Sequence, residues 1–185
     1  ISAVPVSVPP NPSPEQDKYL PVQASGKIGP EKIRILISQK IIGPGYRIIS
    51  PFETDGRRIL IDRGFLKEAD KISDQPADLS TVQGNLDWPQ EVDGFTPEAD
   101  VENNIWFARD VFALADALKT EPILIVTSNI SPSDGKVTPL AVDTNRIPND
   151  HLQYAITWFS LAAVWTIMNV AFLWHPRKRT KGKGQ

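Results

Sequence analysis

The chain of 185 residues has no cysteine, one methionine and two histidines. The first absence excludes disulfides, thiolate catalysis and every thiolate-ligated metal site, and it leaves the redox compartment open. With only His151, His175 and Met168 as further nitrogen or sulfur donors, a copper-carrying role is poorly supported. Catalytic signatures are missing as well. Gly43-Pro44-Gly45 lacks the third glycine and the following helix of a dinucleotide fingerprint, so it reads as a turn. There is no nucleophile elbow, no Walker loop and no helical histidine pair for zinc, so the chain is not expected to be an enzyme.

Positive charge is scarce over most of the sequence and concentrated at its end. Residues 1–150 carry a formal charge of −7, residues 151–185 carry +5, and the whole chain carries −2. An acidic domain repels phosphate backbones, which makes nucleic acid a poor partner. The chain opens at Ile1 rather than at methionine. It reads as the remainder of a longer precursor, with an N-terminal signal or anchor expected ahead of it.

Against the ordinary composition of the rest stands one long uncharged run, Ala155 to Trp174. As a helix rising about 1.5 Å per residue, it spans roughly 30 Å, the thickness of a hydrocarbon core. Trp158 and Trp174 lie near its ends, at the level indoles prefer, and Arg177, Lys178, Arg179, Lys181 and Lys183 follow at once. A lipid bilayer is the expected partner. The positive-inside rule places that tail in the cytoplasm or matrix and residues 1–150 on the opposite side. The alternative is a buried helix of a soluble protein. At about 100° per residue, His151, Tyr154, Trp158, Leu161, Ala162, Trp165, Asn169 and Phe172 share one face, which is expected to meet protein or a flat cofactor.

The remainder predicts a β-dominated α+β extramembrane domain of antiparallel strands with one short helix. Its boundaries are a proline-rich tether or extended arm over 1–16, the domain over 17–150, a transmembrane helix over 151–175 and a basic tail over 176–185. Strands are expected at Tyr19–Ile28, Ile33–Ile42, Tyr46–Phe52, Arg58–Phe65, Thr81–Leu86, Ile105–Phe107 and Ile123–Thr127. Thr54-Asp55-Gly56 and Ser133-Asp134-Gly135 read as further turns, the first inside the clearest hairpin. Asp110 caps the helix expected from Asp110 to Lys119, and Val111, Phe112, Leu114, Ala115 and Leu118 form its apolar stripe.

Candidate functional residues are few. His151 opens the membrane segment one turn before Tyr154 and two before Trp158. Neutral imidazole is a usual axial ligand of haem iron, and an adjacent aromatic face packs a porphyrin plane. The competing reading is an interfacial histidine bonded to headgroups or to the domain. Arg109 and Asp110 adjoin Trp106 and Phe107 and read either as a docking edge or as a local ion pair with an N-cap. Arg63-Gly64 either brings an arginine to a partner or marks a bulge or turn at a strand end.

Four stretches, in order, are familiar as a set: Gly45-Tyr46-Arg47-Ile48-Ile49-Ser50-Pro51-Phe52, Ile59-Leu60-Ile61-Asp62-Arg63-Gly64-Phe65, Trp106-Phe107-Ala108-Arg109-Asp110, and Asn149-Asp150-His151-Leu152-Gln153-Tyr154-Ala155-Ile156-Thr157-Trp158-Phe159. They resemble the signature blocks of the surfeit-locus-one family of cytochrome c oxidase assembly factors. The resemblance runs from about Tyr19 to Trp165, and its last block is the most specific. It implies two membrane helices with a domain between them on the periplasmic or intermembrane side. It also implies a role in building the haem a centres of the oxidase large subunit, together with the haem a synthesis machinery. His151 matches the family's haem-linked histidine. Tyr154, Trp158 and Trp165 would flank a haem a, and Arg63 or Arg109 would stand near its propionates or the oxidase. The alternative is a scaffold or accessory subunit that stays with the oxidase without binding haem. Asp62 stands where the family usually has Asn, Phe65 where it usually has Trp, and the first helix is absent. A bacterial inner membrane with a periplasmic domain is the expected location, and the mitochondrial inner membrane facing the intermembrane space is the alternative.

Overall fold

Alternating and continuous apolar runs in residues 17–142 produce seven strands, because each run can bury one face or both only by pairing with a neighbour. The computed structural model describes residues 4–39, 42–70, 79–142 and 151–174. Residues 1–142 and residues 143–185 form two units. The basic tail, His175-Pro176 and the Asn149-Asp150 pair ahead of His151 lie outside the described residues.

In the first unit, a four-residue helix α1 (Pro14–Asp17) precedes β1 (Pro21–Ile28), β2 (Ile33–Gln39), β3 (Gly43–Thr54), β4 (Arg57–Lys67) and β5 (Ser80–Asp87). Then come β6 (Ile105–Trp106), α2 (Val111–Leu118) and β7 (Leu124–Ser131). The strands form one sheet in the order β1-β5-β7-β4-β3-β2-β6. A further β1–β3 pairing, Lys27 with Glu53 and Ile28 with Phe52, closes β1, β5, β7, β4 and β3 into a ring. Closure removes edges that would otherwise be open to other chains. Gly26 makes it possible, since a Cβ there would run into the Glu53 carbonyl and the Phe52 ring.

Every expected strand is present, with two differences in detail. Pairing is not antiparallel throughout: β4–β7 and β2–β6 are parallel. Parallel neighbours need a crossover, and the chain between β4 and β7 includes α2. Gly43-Pro44-Gly45 is not the turn but the start of β3, in register with Ile37, Ser38 and Gln39. Gly43 takes a φ of 95° at the first residue of the strand. Elsewhere the turn chemistry is as read. Asp55 and Gly56 have φ of 50° and 75° in the two-residue β3–β4 hairpin, as a primed turn requires.

β4 is the spine. Ile59 through Leu66 are all buried, and Ile59, Leu60 and Ile61 pack with Phe52, Leu86, Leu114 and Leu124 in the main core. The Asp110 carboxylate accepts from the backbone N–H groups of Phe112 and Ala113, capping α2, whose Val111, Leu114, Ala115 and Leu118 are buried. The proline-rich opening is extended against this unit. Val6 forms a parallel bridge with Val22, and Arg57 donates to the Pro9 carbonyl at 2.9 Å.

The described residues of the second unit form one helix, α3 (His151–Trp174), of 24 residues and mean hydropathy 1.7 in its most apolar window. It is long and apolar enough to cross a membrane, and none of its residues is buried. Thr157, Thr166 and the Asn169 amide each donate to a carbonyl four residues back, at 2.8–2.9 Å. Both hydroxyls and one N–H of Asn169 thus find acceptors within the helix, as apolar surroundings favour.

Candidate functional site

Spacing along α3 places His151, Tyr154 and Trp158 on successive turns of one face, with Trp165 two turns further on. The side chains are exposed: Tyr154, Trp158 and Trp165 each present about two thirds of their surface. The donor set fits a porphyrin. An accessible imidazole suits an axial position, and phenol and indole rings offer flat apolar faces beside it.

Arg63 and Arg109 belong to the first unit, and both are engaged there. Arg63 is the extra residue of a bulge in which Ile48 faces Gly64 and Ile49 faces Asp62. It is 1% exposed. Its Nε and one terminal nitrogen each reach Asp134 at 2.5 Å, and its other terminal nitrogen donates to Ser50 Oγ at 3.3 Å. This two-pronged ion pair fastens the loop after β7, which continues as a bridge between Thr138 and Phe65. Arg63 is thus already neutralised by a carboxylate of its own unit.

Arg109 joins a second cluster. Its guanidinium holds the Glu91 carboxylate through Nε and a terminal nitrogen, its backbone N–H donates to the same group, and it stands 3.7 Å from Asp62. Asp110 is engaged as the α2 cap rather than as the partner of Arg109. Asp62 lies at the centre of the cluster, 2.6 Å from Arg47 Nε, and accepts the Gly64 N–H at 3.1 Å. Burial pushes its carboxyl up to about 6, with Arg47 and Arg109 opposing the rise. Burial also pushes Glu91 upward, but its bonds to Arg109 outweigh that and hold it below the usual range.

The Asp62 shift has a testable sign. A carboxyl raised in the fold relative to the unfolded chain favours the folded state at low pH, and that advantage is lost as pH rises through the folded value. From pH 4 to 7, wild type is expected to lose about 2–3 kcal/mol of stability relative to Asp62→Asn. Denaturant titrations of both proteins in detergent micelles measure this; parallel pH profiles would contradict it.

Sequence reasoning missed the surroundings of this cluster. A cleft of about 610 Å³ lies beside it, lined by Lys18, Trp88, Glu91, Val92, Arg109 and Phe112 among others. Trp88 and Glu91 follow β5 in a segment with no periodicity, so no pattern singles them out. The 18-residue separation of Glu91 from Arg109 carries no local signature either.

Comparison with known proteins decides the lineage. The SURF1 family model matches residues 1–163. The chain belongs to the SURF1 family. It is 30% identical over 160 residues to a SURF1-like protein of Rickettsia bellii, covering 78% of this chain and 65% of the relative. It is 26% identical over 209 residues to Surfeit locus protein 1 of Rattus norvegicus, covering 98% of this chain and 66% of the relative. A SURF1-like protein of Monosiga brevicollis is 32% identical over 133 residues, covering 67% and 50%. The chain thus spans half to two thirds of the length of these SURF1 relatives. The resemblance seen in the four sequence blocks is a family relationship.

Proposed function

We propose that this protein is a membrane-anchored assembly factor for cytochrome c oxidase, assisting haem a insertion into the large catalytic subunit. The observation that carries the reading is the exposed stripe of His151, Tyr154, Trp158 and Trp165 on an apolar 24-residue helix. In a bilayer that helix puts the imidazole at one membrane surface and the indoles below it. His151 would serve as axial ligand and the aromatic residues would stack beside the ring. Haem iron supplies an open coordination position to such an imidazole. The SURF1 domain and His151 would face the periplasm of a bacterial inner membrane, or the intermembrane space of a mitochondrion, and the basic tail the other side. The partners are then the oxidase large subunit, the haem a synthesis machinery and the bilayer.

Full-length protein produced together with haem a synthesis is expected to purify with a haem absorption spectrum that His151→Ala removes. An unchanged spectrum in the variant overturns the ligand assignment.

One observation favours a second reading, a scaffold that holds the oxidase without binding haem. Arg63 and Arg109, the two arginines expected near propionates, are both ion-paired inside the domain. This reading expects no haem in the isolated protein, and oxidase co-purification that survives His151→Ala.

A further inference from the structure

The segment between β5 and β6 is acidic and apolar at once. Glu91, Asp93, Glu98, Asp100 and Glu102 fall within it, and no lysine or arginine occurs from 88 to 108. Large apolar side chains on the same stretch point to solvent: Phe95 is 95% exposed and Val92 57%. Phe112, from the first turn of α2, is 67% exposed. Val92 and Phe112 line the cleft of about 610 Å³, together with Lys18, Trp88, Glu91 and Arg109.

Exposed aromatic and aliphatic side chains around a concavity mark an interaction surface, because isolated domains rarely leave such groups in water together. The cleft is anchored. An isolated bridge from Gln90 to Asp110 ties the segment to the start of α2, and the bonds from Arg109 to Glu91 fasten it again. Trp88 Nε1 donates to the Pro122 carbonyl at 2.9 Å. The rim therefore stands on a fixed floor, which lowers the ordering cost of binding.

Charge selects the occupant. Arg109 neutralises Glu91, and the remaining carboxylates of the segment, Asp93, Glu98, Asp100 and Glu102, repel an anionic bilayer surface. A second copy of this domain is repelled as well, since residues 1–150 are acidic overall. We infer that the cleft between Val92 and Phe112, with the exposed Phe95 on the same segment as Val92, docks a protein segment in which an apolar side chain is flanked by lysine or arginine. The apolar group enters between Phe112 and Val92, and the flanking cations meet Asp93, Glu98, Asp100 and Glu102. Rim charges of this kind steer encounter and select the partner, whereas the apolar contact slows dissociation. The inference is argued from residues of the first unit alone, so it stands apart from the haem reading.

The test places a benzophenone amino acid at position 95 or 112 of the full-length protein in its own membranes, with position 142, itself exposed, as control. Illumination is expected to give a protein adduct at 95 and 112 but not at 142. The cross-linked peptide should contain lysine or arginine beside an apolar residue. Adduct yield should fall about tenfold when salt is raised from about 50 to 500 mM, because rim attractions are screened. The double variant Glu98→Lys/Glu102→Lys, which alters only exposed positions, should lower the yield similarly at low salt. Adducts with phospholipid or with a second copy of the chain overturn the proposal. So does equal labelling at 142, the lack of any adduct, or a yield indifferent to salt and charge reversal.

Discussion

Asp134→Ala is expected to cost about 3–5 kcal/mol of stability, the usual penalty for removing one partner of a buried ion pair. Arg63 is 1% exposed and spends two of its nitrogens on this one carboxylate. With the carboxylate gone, Ser50 Oγ remains as a hydrogen-bond partner at 3.3 Å, but a hydroxyl cannot neutralise a guanidinium. The loss should exceed that of an exposed pair such as Lys119–Asp116, whose removal is expected to change stability by less than about 1 kcal/mol. Replacing both partners by apolar residues, Arg63→Met with Asp134→Leu, should recover much of the loss, since the penalty is an uncompensated charge rather than a missing attraction. Denaturant unfolding of the full chain in micelles, followed by tryptophan fluorescence, measures all three. If Asp134→Ala costs no more than the Lys119–Asp116 control, the pair does not hold the loop.

Gly64→Val attacks the same latch from the backbone and should cost on the order of 4 kcal/mol. Gly64 has a φ of 115°, which L side chains rarely adopt. A Cβ there would also overlap the Thr138 carbonyl, where the loop after β7 pairs with Phe65. The neighbour is backbone held by Phe65–Thr138 hydrogen bonds of 2.7 and 2.9 Å, so it cannot turn aside as a side chain would. Gly56→Ala provides the comparison. Its φ of 75° is also positive, but no atom lies within 4 Å of the added carbon. It should therefore show only the conformational cost, about 1–2 kcal/mol. Equal losses at the two glycines would mean that the contact with Thr138 is not tight.

How much of this was legible follows from the range of each signal. Strand positions come from period-two alternation and β-branched runs, which are local, and all seven strands stand where the pattern puts them. The α2 cap is local too, with Asp110 two and three residues from the N–H groups it accepts. Pairing is not local. The parallel β4–β7 contact and the ring closure through Lys27 and Glu53 depend on which strands meet after collapse. The proline between two glycines at 43–45 reads as a turn, yet Pro44 is a strand residue opposite Ser38. Turn composition was outweighed there by the hairpin register. At the candidate site, α3 and its aromatic face were readable because helix spacing alone creates them. Asp134 as the partner of Arg63 was not, because 71 residues separate them. Burial of both Asp62 and Arg63 follows from β4 being covered on both faces, and a short apolar run does not reveal that by itself.

The functional reading depends on α3 crossing lipid between the domain and the basic tail. These 185 residues hold no cysteine, so a single thiol introduced into them is the only one they carry. Asp116→Cys, at a highly exposed position of α2, and Lys183→Cys in the tail are each exposed to a membrane-impermeant maleimide on sealed cells with the outer membrane removed. Asp116→Cys is expected to label at once, and Lys183→Cys only after detergent opens the bilayer. Labelling of both before detergent, or release of the protein into the soluble fraction by alkaline carbonate, would contradict a membrane-spanning α3.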